Sequence, residues 1–342
     1  MVRSTPSTAD RLVSPPTWRR PSQDRERIIV AQHNVRRGHQ VARSHPRLLR
    51  SLVILAFISP ALALLGLFAY YPLVRGAVDA FYNDNGTTNT FAGVSNFRQV
   101  FENPTLRVAW VNIAEIALRW VVLELTVPLV VARALLSLRS ERAQQLFRVA
   151  FVVPIVISVP ITALVWETIY MPTGPLNAFL ADVGLGSLRQ LWLANPKIAL
   201  FSIMGVGFPF VDGVGLLVYT GGLQAIPREV IEAAQLDGAS KLVTFFRLEL
   251  PLIAGQVRLM TVFALVNALT LFTPVLLLTN GGPGNATTVP GLALYDAAFY
   301  NNQFGLASAI GVSLFVVIMV LTVAALRFRV EMVRRGYRYI RN

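Results

Sequence analysis

Six apolar segments run through this chain, at residues 50 to 72, 109 to 136, 147 to 169, 198 to 222, 256 to 279 and 305 to 327. Each has about the 20 residues that a helix needs to cross the hydrocarbon core of a bilayer. Lipid offers the backbone no hydrogen-bond partners, so a spanning segment must be a helix or part of a closed barrel, and long unbroken apolar runs select the helix. The expected architecture is all-α: a polytopic membrane protein with six transmembrane helices. Composition agrees, since 54% of the residues are hydrophobic and only 14% are charged, against about a quarter charged in soluble domains.

The net charge of +13 is a topology signal rather than a nucleic-acid footprint. If the first segment enters from the cytoplasm, 25 of the 31 Lys and Arg fall in cytoplasmic parts: the N-terminal tail and residues 133 to 148, 223 to 258 and 327 to 342. The outer loops hold five, Arg75, Arg98, Arg107, Arg189 and Lys197, and Arg119 lies within a segment. The positive-inside rule then puts both termini in the cytoplasm. Three parts are expected: a tail at 1–48, a transmembrane domain at 49–328 and a basic C-terminal tail at 329–342. The first tail is Arg-rich with Ser/Pro-rich ends, and reads as a solvated segment or, over 24 to 43, as a weak basic helix on the membrane surface. It lacks the pattern of a signal peptide. Its histidines, His33, His39 and His45, are six apart and match no metal-ligand spacing. There is no cysteine, hence no disulfide framework.

The most shaped polar interruption is residues 226–252, IPREVIEAAQLDGASKLVTFFRLELPL. Pro227 suits a first helical turn, Glu229 and Glu232 favour its positive end, and Gly238 supplies the residue that ends it near Asp237. Ser240 starts a second helix with an apolar stripe at Leu242, Phe245, Phe246 and Leu250, which Pro251 should end or bend. Ala233, Ala234, Gly238 and Ala239 leave a tip of little bulk, able to enter a groove. The order Glu232-Ala233-Ala234, Gly238, Leu248, Leu250, Pro251 resembles the cytoplasmic EAA loop of the membrane subunits of bacterial ABC importers, with Leu248 where that family has Ile. By that resemblance the loop, with Asp237 and Ala239, is the coupling helix seated in a cleft of an ATPase subunit. An ordinary interhelical loop is the other reading of the same residues.

Two outer loops carry the resemblance further. GVSNFRQVFENP places Asn96 and Phe97 before a short surface helix, with Asn112 in the next segment, as in sugar permeases; a generic interfacial helix also fits. LLLTNGGPGNATT, residues 276 to 288, is similar to the outer loop of sugar and glycerol-phosphate permeases. The chain thus resembles a type I ABC importer permease of the carbohydrate class, most like the actinobacterial trehalose-type disaccharide permeases. The resemblance implies alternating access, a second homologous permease, two ATPase subunits that hold ATP and Mg, and an extracytoplasmic sugar-binding lipoprotein, at the bacterial cytoplasmic membrane. It implies no cofactor in this chain.

Ionisable groups at membrane depth are default site candidates. Glu115 and Arg119, four apart, read as a structural pair; Glu124 has no partner on its own helix. Asp212 sits in GVGFPFVDGVG, where glycines and Pro209 loosen the segment, and reads either as a sugar-hydroxyl acceptor or as an interhelical hydrogen bond. Asn267, Thr270 and Thr273 are expected on one helical stripe, with Phe263 and Phe272 beside them as flat apolar faces.

No phosphate loop is present: the two lysines, Lys197 and Lys241, do not follow a glycine. HExxH and GxSxG are absent as well, so no catalytic and no metal-ligating residue is assigned. A lipid-linked glycosyltransferase, one alternative, needs an acidic cluster, for which Asp79 and Asp84 are the nearest residues. A secondary sugar carrier, the other, is expected to show two similar halves, and none are visible.

Overall fold

The computed structural model describes residues 47 to 340, with their side chains at 51, 52 and 54 to 327. The Arg-rich tail, its three histidines and the possible helix at 24 to 43 lie outside the described residues. The described residues divide into two units, 47–70 and 71–340. The first contains the helix Arg47–Leu65 and a π turn, Gly66–Tyr70, with apolar side chains such as Phe57 and Phe68 fully open to the surroundings.

The second unit is helical apart from one hairpin, Tyr82–Asp84 against Asn89–Phe91. Its longest inner element is the helix Pro104–Leu136. Asn103 caps it by accepting from Thr105 and Leu106 N–H groups, and Pro104 takes the first position, where its missing N–H is harmless. At 1.5 Å per residue this helix is about 50 Å long, enough to cross a bilayer, although it carries Glu115, Arg119, Glu124 and Arg133.

The six apolar segments do not become six uninterrupted helices. Among the described residues three helices are long and apolar enough to span, Ile54–Asp79, Ala254–Leu278 and Phe304–Arg327; a bent pair, Glu141–Val156 and Val159–Asp182, makes a fourth if taken as one span. The pair turns by 99°, in a stretch where Pro154 and Pro160 each remove a backbone donor. The fourth segment separates into Ala199–Gly205 and Gly213–Gln224 around a run of turns in which Gly207 and Phe210 take positive φ, 88° and 61°. In the fifth, the α-helix stops at Leu269 and restarts at Thr273. Pro and positive-φ Gly residues in these runs are compatible with hydropathy but not with a continuous hydrogen-bond ladder.

Packing follows the long helix. Its N-terminal half contributes Ile113, Ile116 and Ala117 to a cluster with Tyr170, Leu200, Ile203, Val275 and Leu292. Its C-terminal half contributes Leu129, Ala132 and Leu135 to another with Leu216, Tyr219, Val257 and Met260. Gly215 lets three elements meet in the latter, since a Cβ there would lie 3.2 Å from Met260 Cε and 3.3 Å from Pro128 Cβ. A third cluster joins Ala80, Val100 and Leu106 to Ala309 and Ile310 of the last helix.

Buried asparagines tie two loops to these clusters. Asn96 Nδ2 donates to the Ala80 and Tyr82 carbonyls at 3.0 and 2.9 Å, and Phe97 packs on Phe81. Asn112 Nδ2 donates to the carbonyls of Ala286 and Thr288, at 3.0 and 2.8 Å, and so holds the TNGGP loop to the long helix. Inside that loop Thr287 Oγ1 lies 2.7 Å from Thr279 Oγ1 and donates to Gly282 O, and Gly281 at φ 82° makes the turn. Asn112→Ala leaves two buried carbonyls without a donor, and is expected to destabilise the folded chain by roughly 1–3 kcal/mol, read as a lower unfolding temperature in detergent.

Candidate functional site

Between the two clusters along the long helix lies a cavity of about 520 Å³, within the usual range for small-molecule sites. Its wall is built from the interruptions just described: Pro154, Ile155 and Val159 at the bend, Val206, Gly207 and Phe210 to Gly213 in the fourth segment, and Thr270 to Pro274 in the fifth. Trp120, Leu123 and Glu124 of the long helix close the remaining side. Where three helices stop, their ends present polar backbone and side chains to a space that water or a solute can fill.

The structure brings together Asp212, Asn267, Thr270, Phe272 and Thr273 in this wall, and leaves Phe263 out of it, half exposed on another face. Asn267, Thr270 and Thr273 do not form one helical stripe. The helix containing Asn267 ends at Leu269, Thr270 turns its hydroxyl back on the Val266 carbonyl, 2.8 Å away, and Thr273 opens the next helix. They share the cavity because the helix breaks there.

Asp212 has a local role that neither reading of the sequence named. It is the N-cap of Gly213–Gln224, accepting from the Val214 and Gly215 N–H groups, while its carboxylate still lines the cavity. The positive end of that helix favours the charge there. Glu124, for which the sequence offered no partner, accepts a hydrogen bond from Asn267 Nδ2 at 3.1 Å across two helices. Only the fold could reveal that contact, since 143 residues separate the two. The expected Glu115–Arg119 pair is not formed. The Arg119 guanidinium lies over the Phe201 ring, 3.9 Å from its centroid, while Glu115 is exposed. A cation held on an aromatic face keeps its charge beside an apolar surface without a carboxylate.

The 226–252 region forms a helix, a turn and a longer helical run. The helix Arg228–Leu236 ends at Asp237, and Gly238 takes φ 75°, which a side chain would strain. Glu232, Ala233, Asp237 and Gly238 are exposed, Ala234 and Ala239 half-buried, and Leu236 stands 90% exposed at the tip. Ser240 caps the next helix through Val243 N–H. Pro251 does not end that helix. A π turn, Phe245–Glu249, precedes it, with Leu250 N–H reaching back to Phe245 O, so the widened turn accommodates the proline and the break falls at Ile253. The expected stripe is divided: Phe245 and Leu250 pack inward, whereas Leu242 and Phe246 are exposed. Missed by the sequence reading is Glu249, buried and paired with Arg133 of the long helix at 2.6 Å. It anchors the region to the helix that also carries Glu124.

Asp79 is paired with Arg75 at 3.1 Å, and Asp84 accepts from Gly86 N–H in the hairpin turn, so the two do not assemble an acidic cluster.

Interrupted apolar helices around a polar cavity, with an exposed helical protrusion between two of them, define a membrane transport component. The chain belongs to the family of binding-protein-dependent transport system inner membrane components, whose family model matches residues 113–332. It is 32% identical over 275 residues to the probable ABC transporter permease protein YurN of Bacillus subtilis, covering 80% of this chain and 94% of that protein. It is 30% identical to the multiple sugar-binding transport system permease protein MsmF of Streptococcus mutans (79% and 93% covered). Identity to the diacetylchitobiose uptake system permease protein NgcF of Streptomyces coelicolor is 29%, with 84% of each chain covered. A bacterial ABC transporter that imports the acidic polysaccharide alginate superposes with a TM-score of 0.73 at 22% identity, over 84% of this chain and 97% of that one. At that identity the likeness concerns the fold: the type I ABC importer permease fold.

Two outcomes test the site. Asp212→Ala is expected to lower stability by about 1 kcal/mol through loss of the cap, and Asp212→Asn, which keeps a capping oxygen, by only a few tenths. Reversing either partner of Arg133–Glu249 is expected to destabilise by about 3 kcal/mol, somewhat less than a fully buried pair because Arg133 is one-third exposed. The double reversal should recover most of that loss in thermal unfolding of the purified protein.

Proposed function

We propose that this chain is one of two permease subunits of an ATP-driven importer that carries a sugar, specifically a disaccharide such as trehalose, across the cytoplasmic membrane by alternating access. The single observation that carries the sugar assignment is the cavity: amide, hydroxyl and carboxylate groups of Asn267, Thr270, Thr273 and Asp212 beside the ring of Phe272, with no Lys, Arg or His in its wall. Saccharides need hydroxyl-directed donors and acceptors with flat apolar surface. Relatives whose names state multiple-sugar and diacetylchitobiose transport support the same substrate class.

In this reading the 49–328 part is the transmembrane domain, both tails lie in the cytoplasm, and Arg228–Leu236 is the coupling helix, with Glu232, Ala233, Ala234, Asp237, Gly238 and Ala239 at its contact with the ATPase. ATP and Mg belong to two partner ATPase subunits. Sugar arrives on an extracytoplasmic binding lipoprotein, a role supported by the alginate importer solved in complex with its substrate-bound periplasmic protein. ATPase closure displaces the coupling helix, and the Arg133–Glu249 pair passes that displacement to the long helix at the cavity. The loop drives the change only through contacts that differ between the two states.

The test is expression with neighbouring genes, purification through a tag on this chain, and an ATP hydrolysis assay with a panel of sugars. A second permease and an ATPase should copurify, with hydrolysis stimulated by a sugar-loaded binding protein. A chain that purifies alone returns the reading to a secondary carrier. Gly238→Asp should abolish uptake while leaving membrane insertion intact; normal uptake in that variant would remove the coupling role.

A further inference from the structure

One acceptor in the cavity is left over. Glu124 is 8% exposed, its Oε1 takes the Asn267 amide at 3.1 Å, and its Oε2 is buried with no hydrogen-bond partner. The Trp120 indole N–H is a second, weaker donor to the carboxyl, and Oε2 itself completes no hydrogen bond. The other carboxylate in the wall, Asp212, already accepts from two backbone N–H groups, and the hydroxyls of Thr162 and Thr270 are turned onto the Ser158 and Val266 carbonyls. A buried acceptor without a donor is unfavourable, and Glu124 lines a space able to admit a donor.

We infer that Glu124 is the substrate-selecting residue of this cavity: Oε2 accepts a hydroxyl of a neutral saccharide, and the carboxylates of Glu124 and Asp212 together exclude saccharides that carry carboxylate or phosphate groups. The inference rests on the sugar-import reading above. An alcohol supplies the O–H that Oε2 lacks, and a hydrogen bond to a charged acceptor is stronger than a neutral one. An anionic sugar brings like charge into a low-dielectric site whose wall has no cation to offset it. Since one importer of this fold carries an acidic polysaccharide, the fold does not decide the charge of the cargo. The residues in the wall do.

The experiment uses the reconstituted importer in proteoliposomes, with its partner permease, ATPases and binding protein. The probes are whichever of trehalose, maltose, cellobiose or diacetylchitobiose stimulates hydrolysis, and the uronic acid made by oxidising its primary alcohol. Wild type should take up the neutral sugar at least about tenfold faster than the acid. Glu124→Gln keeps the size of the side chain and an oxygen for Asn267. It should assemble normally with its partner subunits, lose neutral uptake by about tenfold, and shift the neutral-to-acid ratio toward the acid. Delivery is unchanged between variant and wild type, so that shift reports the cavity. Equal uptake of both probes by wild type overturns the inference whatever the variant does. So does a Glu124→Gln importer with unchanged neutral uptake, or one that fails to assemble, which would assign Glu124 to the fold. If no sugar stimulates wild type, the sugar-import reading falls instead.

Discussion

Every interruption of a helix within an apolar layer leaves backbone groups that lipid cannot satisfy, and this constraint organises the structure. The bend after Val156, the turns from Val206 to Asp212 and the break at Thr270 to Phe272 are brought to one place, where they wall a common cavity. Local bonds absorb part of the deficit: Asp212 caps two N–H groups, and the Thr270 hydroxyl covers a carbonyl of the turn before it. Breaks that would each leave backbone open to lipid are thereby gathered around a cavity that water or a solute can fill.

The long helix Pro104–Leu136 is the element against which this assembly is measured. It meets the loop 276–288 through Asn112, the cavity through Glu124 and the region beyond the helix Arg228–Leu236 through Arg133. Each of these three polar residues has a partner distant in sequence. A rigid helix with contacts at both ends and its middle is suited to carry a displacement between them.

Much of this was legible in residue order. The helical class follows from hydropathy alone, and the end of Arg228–Leu236 at Asp237 follows from Gly238, since few other residues adopt its φ. The continuity of the helices was not legible, because a Pro or a Gly lowers hydropathy little whether or not the backbone ladder breaks there. Nor were the partners of Glu124, Arg119 and Glu249, which lie on other helices. Local spacing proposed Arg119 with Glu115, and the fold placed it on Phe201 instead, because the face of the helix turned toward Phe201 is set by packing and not by the nearest charge.

The Asn112 tie has a consequence for the order of assembly. Its acceptors, Ala286 and Thr288, lie 174 and 176 residues further along the chain. During synthesis the long helix enters the membrane with this amide unanswered, and it stays so until five of the six apolar segments have emerged. Closing so long a loop carries a large entropic penalty that only the completed bundle offsets. Loss of the residues beyond the fifth apolar segment therefore leaves the Asn112 amide without these acceptors.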